Sequence, residues 1–292
     1  MPEQGGTTTQ SGIFCQNLYA ALRIAEMLSG QDLPATSKII SVRVEAPVNV
    51  DDVVVTYEDG HRDYVQAKEN LSASGEIWLK IWRQFLKEYE KPDFDRVNSR
   101  LILCVGSSNE DYVLLETMFE AVKGRLNFGE WLSRLKKNAK LWELWQDKIE
   151  KLFAEGQPLE SIRLDKWTFL RCVRVQVRLR DFLDRQAILS LPLSQNDNGL
   201  ISSQTLHSNV CKYISNDARD RVEHTVVSLS ERLESDHRIR LYAPPPLAQL
   251  LDAIYSCSAT LRAQRGEFGA LTGSHVERPV TKEIIEWMLT TG

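Results

Sequence analysis

The chain has 292 residues, 42% hydrophobic and 26% charged, a composition that suits two domains or one with a large appendage and excludes disordered, collagen-like and disulfide-stapled chains. Its net charge of −4 gives no overall attraction for nucleic acid, so any basic surface must be local. Five cysteines, odd in number and never paired as C-x-x-C, predict reduced thiols and a cytoplasmic protein. They argue against a zinc ribbon or redox motif. No apolar run approaches the roughly 18 residues of a membrane span, and the first residues lack a basic stretch leading into an apolar one, so neither membrane insertion nor export is expected.

After a polar opening, Phe14, Leu18, Leu22, Ala25 and Leu28 recur at helical spacing. Gly30 and Pro34 close that helix. Three short β-rich runs follow, Ile39 to Glu45, Asp52 to Tyr57 and Tyr64 to Lys68, with the Asp59-Gly60 pair suited to a tight hairpin between the last two. Trp78, Ile81, Trp82, Phe85 and Tyr89 mark a second helix whose tryptophans read as core. Arg100 to Val105 reads as a buried central strand, and a helix follows from about Glu110 to Lys123. The order α-β-β-β-α-β-α over residues 11 to 124 predicts an α/β fold, a mixed sheet flanked by helices.

Further on, Trp131 to Phe153 predicts one or two helices. Val173, Val175, Val177 and Leu179 alternate with Arg174, Gln176, Arg178 and Arg180, which favours a strand with one charged face over a helix, the alternative reading. Ser203 to Leu233 and Leu247 to Arg265 read as helical, interrupted by a triple proline.

Chemistry concentrates on the first sheet. Glu45 closes one strand, Asp51 and Asp52 open the next, and Gln66-Ala67-Lys68 closes the third. Residues two apart on a strand share a face, so Gln66 and Lys68 project together. An aspartate from a paired strand would set a metal-ligating oxygen beside an ammonium group, an arrangement suited to phosphodiester hydrolysis. A two-residue hairpin loop at Asp59-Gly60 would bring Asp51 to the lysine face. One bulged residue would bring Asp52 there instead. The same residues also read as ordinary polar strand ends.

Taken in order, Gly5-Gly6-x-x-x-Gln10, Glu45, Asp51-Asp52-Val53-Val54-Val55 and Tyr64-Val65-Gln66-Ala67-Lys68 resemble the PD-(D/E)xK nuclease superfamily. The likeness is greatest to the Q-x-K branch, found in Mrr-like restriction nucleases and in CD-NTase-associated double-stranded DNA endonucleases of antiphage defence. It continues through Trp82-x-x-Phe85 and Arg100-Leu101-Ile102-Leu103. The resemblance implies a restriction-endonuclease-like domain over residues 1–125, a mostly helical accessory domain over 126–272, and a connector or terminal helix over 273–292. It implies Mg²⁺ or Mn²⁺ held by Asp52, Gln66 and Glu45, with Lys68 and Gln10 completing the catalytic set. Asp52 is preferred to Asp51 because the family pattern points to the second acid of the pair. Two departures stand out: Gln66 and Gln10 are neutral where relatives often carry acids.

The expected partner is double-stranded DNA, cut with low sequence specificity, and activation by self-association is expected. The alternative is an inactive nuclease fold serving as an interaction scaffold. Gly273 to Leu289 is similar to the connector ahead of NACHT or other STAND-type NTPase modules, which implies a C-terminal or separate NTPase or sensor partner. Arg134 to Lys140, and the arginines at 171, 174, 178 and 180, read equally as phosphate-gripping patches and as solvated faces. The five histidines lack metal-ligand spacing, and no G-x-x-x-x-G-K-[ST] phosphate loop is present.

Overall fold

A computed structural model describes residues 5–30, 37–50, 52–122, 127–162 and 165–242, the side chains of 5–11 excepted. The chain divides into two compact units, Met1–Pro244 and Pro245–Gly292. The second lies outside the described residues, together with the helix expected over 247–265 and the connector expected over 273–292.

The elements run α1 (Gly5–Ser29), β1 (Ile39–Val44), β2 (Val53–Tyr57), β3 (Arg62–Lys68), α2 (Gly75–Tyr89), β4 (Arg100–Val105) and α3 (Glu110–Glu120). Then come α4 (Phe128–Leu135), α5 (Ala139–Leu144), α6 (Lys166–Cys172), β5 (Val173–Val177), α7 (Arg180–Ser190), β6 (Ser194–Asn196) and β7 (Gly199–Ile201). The described part ends with α8 (Ser203–Asp217), β8 (Glu223–Thr225), α9 (Val226–His237) and β9 (Arg240–Leu241). A π turn and a 3₁₀ turn carry the chain on from α5.

Six strands form one mixed sheet in the order β5-β4-β3-β2-β1-β8. The joins β3–β4 and β4–β5 are parallel, and the others are antiparallel. The protein is therefore an α/β fold with a mixed sheet flanked by helices. Strands β5 and β8, both beyond residue 125, belong to the same sheet as β1 to β4, so the boundary expected at 125 does not separate the described residues into two bodies. A parallel neighbour is reached only by a long crossover, here through α3 to α6, and sequence spacing carries no record of that pairing.

Apolar cores cover both faces of the sheet. On one, Val53, Val55, Val65, Ala67, Ile102 and Cys104 pack with residues of α1, α7 and α8. On the other, Val54, Tyr64, Leu101, Leu103 and Val105 pack with residues of α2, α3 and α5. Strand β4 is buried from Leu101 to Val105, which is why its sequence is continuously apolar. Helix α2 buries the expected stripe of Trp78, Ile81, Trp82, Phe85 and Tyr89. Asparagine side chains at 109, 127 and 138 accept from the N–H groups of Tyr112, Glu130 and Leu141 in the first turns of α3, α4 and α5.

The helical stretch expected from Ser203 to Leu233 is broken by β8, which pairs with β1 through His224 opposite Val42. Burial lowers the His224 pKa below its ordinary 6.5, with the Asp217 carboxylate partly opposing, and burial likewise lowers that of His207. Both rings are thus held neutral when folded, whereas the unfolded chain takes up protons as pH falls below about 6.5. The stability they contribute is complete above that pH and is lost as pH falls through the lowered folded values. The melting temperature is expected to drop between about pH 7.5 and pH 5.5, and His224→Gln should flatten that dependence. An unchanged slope in the variant would remove His224 from this account.

Candidate active site

The β2–β3 hairpin sets the site. Its loop has three residues, closed by the Tyr57 N–H to the His61 carbonyl at 3.0 Å and the Gly60 N–H to the Tyr57 carbonyl at 2.9 Å. Gly60 takes φ +87°, a left-handed conformation that a side chain would disfavour. The odd loop moves the register by one from the two-residue expectation. Val53 pairs with Val65 and Val54 with Tyr64, so the next step sets Asp52 across from Gln66 on the face that also carries Lys68. Asp51 lies outside the described residues.

Asp52 is nearly buried, and its Oδ2 accepts from Lys68 Nζ at 2.7 Å and from the Ala67 N–H at 2.8 Å. Gln66 is 2% exposed beside them. The end of β3 is itself braced by β4. The Gly106 N–H donates to the Lys68 carbonyl at 2.9 Å, and a Cβ at Gly106 would stand 3.1 Å from the Glu69 Cα. Only glycine lets the two backbones meet there without one moving.

Glu45 follows β1 at φ 51°, one of three non-glycine residues with positive φ among those described. Strand alternation alone would put it with Arg43, on the face away from Val42 and Val44. The left-handed turn breaks that alternation, and Glu45 Oε1 accepts from Gln16 Nε2 of α1 at 3.0 Å. Its N–H still donates to the Asp52 carbonyl at 3.1 Å, so the two acids are neighbours through the backbone. Gln10 lies on the α1 backbone, and its side chain is outside the described residues. Cys15 and Cys104 are buried, as expected. Their mutual hydrogen bond lowers the pKa of Cys15, against burial and the charges of Glu69 and Asp52.

Two supporting residues were not expected. Gln16 is buried on the apolar side of α1. Glu88, 1% exposed on α2, accepts from Asn49 N at 3.1 Å, Asn49 Nδ2 at 3.2 Å and Lys91 Nζ at 2.8 Å. It thereby anchors the loop that leads from Glu45 to Asp52. A polar residue on an otherwise apolar helical stripe was the available signal for each. Glu88→Ala leaves the Asn49 N–H without this acceptor and should cost about 1–3 kcal/mol. It should also loosen the approach to Asp52, and Glu88→Gln should lose less. Denaturant unfolding of the two variants checks this, and equal stability with the wild type would contradict the anchoring role.

The oxygen donors of Asp52 and Gln66 suit a hard cation that keeps several of its waters. Among the described residues no group of three His, Cys, Asp or Glu side chains converges as a metal cluster. Asp52 is thus the acid in contact with Lys68, and Glu45 adjoins it through the backbone with its Oε1 accepting from Gln16. The Arg134 to Lys140 stretch is tied to acids at both ends, Arg134 to Glu130 at 3.4 Å and Lys140 to Glu110 at 2.5 Å. Lys136 lies over the Trp142 ring. No described helix is long and apolar enough to cross a membrane.

No protein-family model matches the chain, and no curated protein does. Among solved structures it is similar to the Cap4 SAVED/CARF-domain containing receptor of Moraxella osloensis, with TM-score 0.43 and 16% identity. It is also similar to that of Acinetobacter baumannii with the cyclic trinucleotide 3'3'3'-cAAA, with TM-score 0.45 and 15% identity. Each likeness covers 77% of this chain and 48% and 45% of the respective receptors, so the chain spans about half their length. At these values the likeness assigns neither an activity nor a ligand.

Proposed function

We propose that the protein is a metal-dependent endonuclease of double-stranded DNA, of low sequence specificity, acting in bacterial antiphage defence. The observation that carries this reading is the 2.7 Å contact of Lys68 Nζ with Asp52 Oδ2, on the sheet face shared with Gln66. Asp52 and Gln66, with Glu45 adjoining, would hold Mg²⁺ or Mn²⁺. The ion supplies polarisation of the phosphate and acidification of water. Lys68 orients the attacking water and offsets charge gathering on the phosphate, and Asp52 keeps that ammonium group in place. The Ala67 N–H and Gly106 fix the strand end so that these groups need not reorganise during reaction.

A second reading, an inactive nuclease fold used as a scaffold, is favoured by the neutral Gln66 and by the lack of a three-acid cluster among the described residues. Supercoiled-plasmid cleavage with Mg²⁺, with EDTA and with Lys68→Ala separates the two. The nuclease reading expects nicking that needs both the metal and Lys68.

The net charge of −4 gives a single copy little long-range attraction for DNA, whose binding rests on phosphate neutralisation. Assembly of several copies raises the effective concentration of sites along one duplex. An appended tetrameric coiled coil should therefore raise cleavage per subunit over the free chain. Equal rates at equal subunit concentration would exclude control by assembly.

A further inference from the structure

The arginines of the 171–180 series divide in the structure. Arg178 pairs with Glu116 at 2.9 Å, and Arg180 lies over the Phe14 ring. Arg171 and Arg174 instead line a cavity of about 650 Å³ beside α1, on the sheet face opposite Lys68. Its wall holds five arginines (23, 96, 100, 171 and 174) against two acids, Asp63 and Glu120. Asp63, on the cavity wall, is five residues from Lys68 along β3. Gln176, also on the wall, is level with Ala67 through Cys104, but Asp63, Ile102, Arg174 and Gln176 all alternate onto the face opposite Lys68, so the sheet separates the cavity from the Asp52 site.

The two acids of the wall do not balance its five arginines. Arg23 is paired with Glu26 at 2.6 Å and with Asp63 at 4.0 Å, and Asp63 also accepts from the Tyr57 hydroxyl at 2.7 Å. Among the described residues no ion pair joins Arg96, Arg100, Arg171 or Arg174 to a carboxylate. Arg100 and Arg174 each spend one Nη1 on backbone carbonyls, at 2.8 Å for Arg100 and at 2.8 and 2.6 Å for Arg174. Those bonds fix the planes of the guanidinium groups and leave their other N–H donors available. Arg174 is 9% exposed, and its burial and the like charge of Arg100 lower its pKa, with the Glu120 and Asp63 carboxylates partly opposing. Two guanidinium groups fixed on one cavity wall, near enough to repel, suit an anion with several acceptor oxygens. The volume lies within the roughly 300–1,000 Å³ of small-molecule sites, large enough for a nucleotide.

We infer that this cavity binds a small compound carrying several phosphates, of nucleotide size, with Arg96, Arg100, Arg171 and Arg174 taking its oxygens. Calorimetric titration of the full chain with tripolyphosphate and with ATP, both in EDTA, tests this. Saturable binding is expected for at least one of them. It should weaken about tenfold or more in Arg100→Gln and in Arg171→Gln, each of which removes a charged donor. Arg171 is exposed, so its variant should keep the wild-type melting temperature. Lys68→Ala should bind as the wild type does. Tighter binding of ATP would identify a nucleotide, and equal binding would identify the phosphate chain alone as the recognised group. No saturable binding near about 1 mM, binding unchanged in both arginine variants, or loss of binding in Lys68→Ala would overturn the inference.

Discussion

Asp52→Asn should lower metal-dependent DNA cleavage by about 10²–10³-fold, the scale of losing one fixed electrostatic contributor to a transition state. The substitution keeps an oxygen able to accept from the Ala67 N–H, so the fold should survive while the negative charge beside Lys68 is lost. Lys68→Ala should cause a comparable loss. Lys68→Arg should not restore activity, because a planar fork does not reproduce a compact ammonium group at 2.7 Å from Asp52. Rates from a plasmid-nicking time course, set beside melting temperatures of the same variants, separate lost chemistry from lost fold. Wild-type cleavage by Asp52→Asn would remove Asp52 from the site.

The second large effect concerns stability. Trp82 is fully buried on α2, with ring centroids 5.3 Å from Trp78, 5.8 Å from Phe85, 6.1 Å from Phe119 and 6.3 Å from Phe169. It thus links α2, α3 and α6 over the central strands. Trp82→Ala should cost about 3–5 kcal/mol through lost burial and the cavity left behind. That is a large share of the roughly 5–15 kcal/mol that stabilises a typical domain. Trp82→Phe should cost less, since the indole N–H is buried without a hydrogen-bond partner and its removal forfeits no bond. Guanidinium unfolding measures both, and a loss below about 1 kcal/mol for the alanine variant would contradict the central packing role.

How much was legible follows from which interactions were local. The order from α1 to α3 could be read because each element repeats its apolar residues at its own period, as in Trp78, Ile81, Trp82 and Phe85 or in the unbroken run Leu101 to Val105. Strand β8 could not be read. Glu223, His224 and Thr225 carry no apolar pattern, and they are held by pairing with β1 and by Glu223 accepting from Ser41 Oγ at 2.6 Å and from Arg43 at 3.0 Å. Strand β5 showed its alternation, yet its place beside β4 depends on a crossover that leaves no sequence mark. Its Arg174 is buried, a placement that alternation, reading equally as a phosphate-gripping patch or a solvated face, does not reveal.

The site was legible in residue type and only partly in geometry. Gln66 and Lys68 share a face because strand periodicity requires it. The choice of aspartate turned on a single loop residue: the left-handed Gly60 makes the loop three residues long and sets Asp52 across from Gln66. The orientation of Glu45 depends on its positive φ and on Gln16, neither of which periodicity records.

Mn²⁺ binding to the chain clustered by an appended tetrameric coiled coil, followed by electron paramagnetic resonance with a phosphorothioate duplex present, tests most directly whether Asp52 forms a metal site beside Lys68. The wild type is expected to bind, and Asp52→Asn should weaken binding by about tenfold to a hundredfold or more. Lys68→Ala should bind at least as well as the wild type, since the ammonium group competing for Asp52 Oδ2 is gone. Equal binding by the wild type and Asp52→Asn, or no binding by either, would contradict the assignment of this site as a metal-dependent nuclease centre.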